Sequence, residues 1–402
     1  MSDAGHVAWM LTASALVLLM TPGLAFFYGG LVRGKNVVST MMYSYVSMAV
    51  VSVMWVLWGY SLAFGAGGDF IGNLDFIGFK DVSASGEDGG ISPMLFAIFQ
   101  MMFAIITPAL ITGAFVERFK FTTYIVFLVV WVTLVYVPIT HWVWASDGWI
   151  AGMGALDFAG GIVVHASAGI AAIVVAKMIG TRRNIERGVE PHNVPYVLLG
   201  TGLLWFGWFG FNAGSGLLAD STAVSAFLVT NTSAAVAGLV WMVLDYQSTG
   251  RVSAVGFATG VIAGLASITP AAGFVGPMGA LAIGTIGSIA AYTTVKLMAK
   301  TSIDDALEVF AVHGVGGLWG TIATGIFATG GVGLIDGDSD LLWANFRAAV
   351  AVVIYSGIAS FIILKILDVI PGLGLRTPEE DEDRGLDIAL HGERGYVADG
   401  AD

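Results

Sequence analysis

The sequence predicts an all-α polytopic membrane protein, with eleven transmembrane helices. Three observations carry this. Charged residues make up only 11% and hydrophobic residues 56%, whereas a soluble domain carries about 25% charge. Glycine supplies 55 of the 402 residues, about double its ordinary share of ~7%, and glycine lets helices in lipid pack backbone to backbone. The charges gather in short runs between apolar intervals long enough to cross a hydrocarbon core of about 30 Å. Mean hydropathy, +0.83, agrees.

The charge-free intervals in chain order are 7–32, 37–64, 93–116, 121–144, 158–176, 194–219, 221–244, 252–269, 278–295, 309–335 and 348–364. The apolar stretch between Arg251 and Lys296 is too long for one helix, and Pro270, Gly273, Gly276 and Pro277 divide it. Eleven is odd, so the termini lie on opposite sides. With the N-terminus outside, 15 of the 17 basic residues fall on the cytoplasmic face, and only Lys80 and Arg347 do not. The positive-inside rule therefore sets N-out, C-in. The first interval lacks a basic segment before it and is expected to be a span, not a cleaved signal. Residues 1–370 then form a membrane domain and 371–402 a cytoplasmic tail. The net charge of −12 sits mostly in loops and tail and says little about mechanism.

The first span closes on Phe26-Phe27-Tyr28-Gly29-Gly30 before a basic turn. The third carries Gln100-Met-Met-Phe103, and the fourth ends His141-Trp142-Val143-Trp144, which by composition is an interfacial aromatic belt. The fifth opens with Asp157 and carries His165 eight residues later. Gly161, His165 and Gly169 are four apart, so they share one helix face and let a neighbour approach the ring. A histidine inside a span is costly and faces a bundle interior or a pathway. The sixth ends in Trp205-Phe-Gly-Trp208-Phe-Gly-Phe211-Asn212-Ala-Gly-Ser215. The eighth presents Gly256, Gly260 and Gly264 as a packing face. The tenth holds His313, 148 residues after His165 and again followed four residues on by glycine, Gly317. The eleventh has no counterpart and acts as a brace.

Spans one to five and six to ten thus read as repeats, inverted because five is odd. The starts Ala155-Leu-Asp157 and Ala306-Leu-Glu308 match in this scheme. At about 1.5 Å per residue, His165 lies about 12 Å from Asp157 and His313 about 7.5 Å from Glu308. Acids at both boundaries would leave the rings about 10 Å apart in depth in a core of about 30 Å. For the two histidines to meet, an acid must sit inside the core, and Asp157 is the one expected there, buried and held by hydrogen bonds.

These residues resemble the ammonium transporter family (Amt/Mep/Rh), in its Amt branch. The likeness runs from Phe27-Tyr28-Gly29-Gly30-Leu31-Val32-Arg33 to Gly374-Leu375-Arg376. It is carried by the block from Ala155 to His165, the block from Gly207 to Ser215, and Val312-His313-Gly314-Val315. The resemblance implies eleven helices in an inverted five-plus-five repeat and a homotrimer with one pore per subunit. It implies an external recruitment site of Phe103, Trp144 and Ser215, a gate of Phe103 and Phe211, a pore relay of His165 and His313, and a supporting Asp157. The loop between Trp144 and Asp157 is one residue longer than the family pattern. The implied function is uptake of ammonium, with methylammonium as an analogue. The ion is deprotonated, ammonia is conducted and the proton is relayed separately. The protein would sit in the plasma membrane and bind a cytoplasmic PII-type signal protein.

No cofactor, metal or nucleic-acid partner is expected, and no enzymatic activity. There is no cysteine, and neither His-x-x-x-His nor His-Glu-x-x-His occurs. Three other classes compete. Asp157, His165 and Ser215 are residue types of a hydrolytic triad, but Gly-x-Ser-x-Gly is absent and Ala213 occupies the first glycine position. A sensor would need an output module that about 30 tail residues do not provide. A channel for another small gas differs only in what it passes.

Overall fold

The computed structural model describes residues 3–86 and 90–396 and is all-helical, with no strand among those residues. Among the described residues ten helices are long and apolar enough to cross a membrane. They are α1 (Ala4–Leu31), α2 (Gly34–Phe64), α3 (Pro93–Ala114), α4 (121–144), α5 (Gly161–Ile179), α6 (Val194–Gly214), α7 (Ser221–Thr249), α9 (Pro277–Met298), α10 (Phe310–Phe327) and α11 (Asp340–Val369). Between α7 and α9 lies α8 (Ala254–Ile268), apolar but shorter.

Local chemistry sets the ends. Asp3, Ser92, Asn193, Asp220 and Ser253 cap α1, α3, α6, α7 and α8 by accepting backbone N–H bonds that a first turn leaves open. Pro93 and Pro277 stand in the first turn of α3 and α9, where no N–H is missed. The break at Pro270 to Pro277 occurs where the sequence puts it.

Charge-free intervals misjudge two helices. The interval 348–364 belongs to a 30-residue helix that carries Arg347, Lys365 and Asp368. Charges near helix ends extend to the interface and need not end the helix. Conversely, α10 stops at Phe327, and the chain then runs through turns into a short 3-10 helix, Leu334–Asp336.

The two halves meet along α1 and α6 and again where α5 meets α10. Glycine permits both approaches: a Cβ on Gly200 or Gly207 would enter the α1 backbone, and one on Gly169 would fall on the backbone of Gly314. On α8, Gly260 and Gly264 do the same against α7. The brace expected of α11 is physical. Asn345 accepts from Leu156 N (2.8 Å) and donates to Leu156 O and Thr321 O. Ser356 donates to Ser167 O, and Trp131 donates to Ser360.

The segment after α11 folds back onto the loop face. Lys120 N donates to Leu375 O (2.9 Å) and Thr377 N to Arg118 O (3.0 Å). Arg183 pairs with Glu379 and Asp383. Asp387 accepts from Ser39 N at the start of α2 (2.8 Å), and Tyr396 meets His192 (3.0 Å). The end of the expected tail, 397–402, lies outside the described residues.

Candidate functional site

The approach to α5 is a turn built on Asp157. Its carboxylate accepts four consecutive backbone N–H groups, Gly160 (2.9 Å) and Gly161 (2.6 Å) on Oδ1, Ile162 (2.7 Å) and Val163 (3.1 Å) on Oδ2. A helix start leaves four such donors open, and here one buried side chain takes them all, its charge favoured by the helix dipole. Gly160 makes the turn at φ 115°, a region that favours glycine. The helix then begins with a π-helical turn, Gly161–Ala166, and α10 begins the same way over Phe310–Val315. Each turn contains one of the two histidines.

The rings meet. His165 Nδ1 and His313 Nδ1 are 3.2 Å apart, the ring planes within 20°, and both side chains are buried. If both are neutral, one Nδ1 donates and the other accepts. The donor ring then has a bare Nε2 and the acceptor ring an Nε2–H. His165 Nε2 is buried with no hydrogen-bond partner among the described residues.

The acid that accompanies His313 differs from the sequence expectation. Asp305, not Glu308, is the counterpart of Asp157. It lies eight residues before its histidine, as Asp157 does, and its Oδ2 accepts from Phe310 N (2.7 Å). The Ala-Leu-acid match was misleading by three residues. Eight residues separate the acid from the histidine on both sides, and each acid sits in the turn that leads into its helix. Burial pushes the Asp305 carboxyl up to about 6, against opposing backbone N–H bonds and Arg118.

From the histidines outward the aromatic residues form a continuous series. Phe211 lies 5.9 Å from His165 and 4.3 Å from Phe103. Phe103 takes the Trp144 ring edge-on at 5.8 Å and 89°. Trp144 is partly exposed and donates from Nε1 to Asp157 O (2.8 Å), which fixes the longer loop to the turn below it. Ser215 is also partly exposed and donates to Phe211 O (2.8 Å). Among the described residues the hydrogen bond of the Ser215 hydroxyl is the one to Phe211 O, which ties it to the gate helix beside Phe211.

Trp208 has no assigned role in the sequence reading, yet it stacks on His165 (5.4 Å, 24°) and is anchored by Nε1 to Thr269 (2.9 Å). Its position three residues before Phe211 was the available signal. A narrow apolar cavity lined by Phe211, Trp208, His165, Leu24 and Ile106 continues to His313. A wider vestibule begins at His313 and runs past Tyr28 and Glu308 to Arg182 on the tail side.

Fold and site together define a multi-pass membrane protein with an aromatic and imidazole-lined passage. The family model of the Ammonium Transporter Family matches residues 8–396, and the chain belongs to that family. It is 47% identical to an ammonium transporter of Bacillus subtilis, covering 98% of each chain. It is 45% identical to ammonium transporter Amt1 of Archaeoglobus fulgidus, covering 99% of this chain and 100% of that one. The structure superposes on Saccharomyces cerevisiae Mep2 with a TM-score of 0.88 at 37% identity, covering 94% and 90% of the two chains. A solved structure described as a sensor Amt protein gives 0.89 at 32% identity, covering 96% and 98%.

Proposed function

We propose that this chain carries ammonium across the plasma membrane, and that Trp144, Phe103, Phe211, His165 and His313 form its route in that order. The observation that carries the reading is the unbroken ring series ending in two touching imidazoles. The relatives' names support the substrate.

The chemistry follows from the residues. A bare cation costs at least several kcal/mol to bury. At the rim, cation–π contact with Trp144 and Phe103 returns about 0.5–2 kcal/mol. Ser215 spends its proton on Phe211 O, so its lone pairs are free to accept an N–H. Past the Phe103–Phe211 gate the lining is apolar, and a cation has nothing to replace its water. Ammonium therefore gives up a proton at the gate. Ammonia crosses the apolar lumen beside Trp208, while the proton passes through the His165–His313 pair. Asp157 holds the turn that aims His165.

The same reading takes α1–α11 as eleven spans, α8 included, with the N-terminus outside. Residues 1–370 form the membrane domain and 371–402 the cytoplasmic tail. The protein works as a homotrimer, and a PII-type protein binds its cytoplasmic face. A pull-down with PII under varied nucleotide that recovers nothing would remove that partner. The central test is His165→Asp, which puts a fixed negative charge in the lumen. Currents in potassium alone are expected in the variant and absent in wild type, beside measured uptake of labelled methylammonium. Wild-type selectivity and flux in His165→Asp would refute the twin-histidine route.

A further inference from the structure

Glu308 remains without a role once Asp305 takes the place of Asp157's counterpart. Three features set it apart. It lines the vestibule that begins at His313, and it also lines the adjoining cavity with Asp305 and Arg182. Its backbone sits at φ 64°, a left-handed conformation that strains a residue with a side chain. The turn is nonetheless fixed by Glu308 N donating to Asp305 O (3.2 Å) and Val312 N to Glu308 O (3.0 Å). Its carboxyl group makes no hydrogen bond or ion pair among the described residues.

The charges around it do not neutralise it. Arg182 is spent on Asp304 through 2.8 and 2.9 Å bonds. Lys296 on α9 lies over the Tyr292 ring at 5.2 Å, and its charge opposes the upward shift of Glu308 only in part. Asp245 on α7 and Asp305 on its own segment add negative charge. The uncharged Tyr28 hydroxyl in the same vestibule is turned to Leu110 O.

We infer that Glu308 is the inner proton donor of the pore: below His313 its carboxyl group meets emerging ammonia, gives it a proton and holds the resulting ammonium before release. This rests on the transport route proposed above. The step balances. The O–H bond of the carboxylic acid breaks and an N–H bond forms on ammonia, leaving an ammonium–carboxylate pair. Ammonium leaves for the solvent of the vestibule, and the carboxylate takes up the next proton arriving past His313. Burial first, and the Asp305 charge second, push Glu308 up to about 7, so both the acid and carboxylate forms are populated at neutral pH.

The test uses full-length protein in proteoliposomes, with currents from an ammonium step recorded at inner pH from about 5.5 to about 8. Wild type is expected to show a dependence on inner pH with a midpoint near about 7. Glu308→Gln is expected to lose that dependence and to cut current about tenfold or more, with half-saturation for outer ammonium unchanged. Glu308→Gly suits the left-handed turn and is expected to fold at least as well while losing the same current. Glu308→Asp keeps a pH-dependent current with a moved midpoint. A folded Glu308→Gln with wild-type current and wild-type inner-pH profile overturns the inference and leaves the route standing. Wild type with neither current nor methylammonium uptake would overturn both.

Discussion

Gly317→Ala tests whether contact between the histidines matters. A Cβ at Gly317 would lie 2.6 Å from Gly161 O and 2.7 Å from His165 Cβ. Ordinary contact begins at 3.4 Å, so α10 and α5 must separate by about 0.7 Å there, and the obstructing atoms are backbone and Cβ, which do not swing aside. The Nδ1–Nδ1 distance of 3.2 Å then grows to about 3.9 Å, beyond hydrogen-bond reach. Overpacking of this kind costs about 1–3 kcal/mol, which a folded variant survives. Charge-coupled current in proteoliposomes is expected to fall at least about tenfold, since the transfer loses its hydrogen bond. Gly357→Ala is the control, because its nearest neighbour is Ile170 Cγ2 at 3.5 Å; it should leave current unchanged. A folded Gly317→Ala with wild-type current would show that proton movement does not depend on direct contact between the rings.

Trp144→Leu removes the cation–π face and should raise half-saturation for ammonium about 2- to 30-fold, with poorer discrimination against alkali cations; competition by potassium in an uptake assay reads both. Stability should also depend on pH in a defined direction. Asp305 and Glu308 sit at about 6 and about 7 in the fold, above their unfolded values, so the folded state binds more protons between about pH 4 and 7. The unfolding temperature is therefore expected to rise as pH falls from about 8 to about 5.5, and Glu308→Gln should flatten the upper part of that rise. At Asp304, burial opposes ionisation, but Arg182 and then Arg118 hold the carboxyl below its usual range. That contribution is present above about pH 4 and lost below it, which sets the acid limit. A flat profile from pH 8 to 5.5 would refute the assignment of the two raised carboxyls.

The spacing of His165, His313, Gly169 and Gly317 made the centre legible, because 148 residues separate both pairs and only helices crossing at glycine bring such positions together. Asp157 was legible as a buried acid since the rings could not otherwise meet in depth. Asp305 was missed because a local match, Ala-Leu-acid, outweighed the better key of eight residues to the histidine. Trp208 was missed because one aromatic among many in α6 carries no mark of what it stacks on. Span limits drawn from charge failed at α11, where Arg347 and Lys365 sit exposed within the helix and do not end it. The docking of the tail was out of reach of pattern reading, as Asp387 and Tyr396 find partners hundreds of residues away.

The head-to-head Nδ1 contact has a consequence for leakage. With both rings neutral, the pair has two arrangements, each the mirror of the other. Suppose a proton joins the bare Nε2 of the outer ring, the shared proton crosses to the other Nδ1, and the inner ring sheds its Nε2–H. The pair is then inverted: the outer Nε2 is occupied and the inner one bare. A second proton finds no vacancy at the entrance. On the proposed route the arrangement would behave as a one-shot latch, restored before it conducts again. A continuous water wire would short-circuit the membrane's proton gradient; on the proposed route this pair would pass one charge and then block itself.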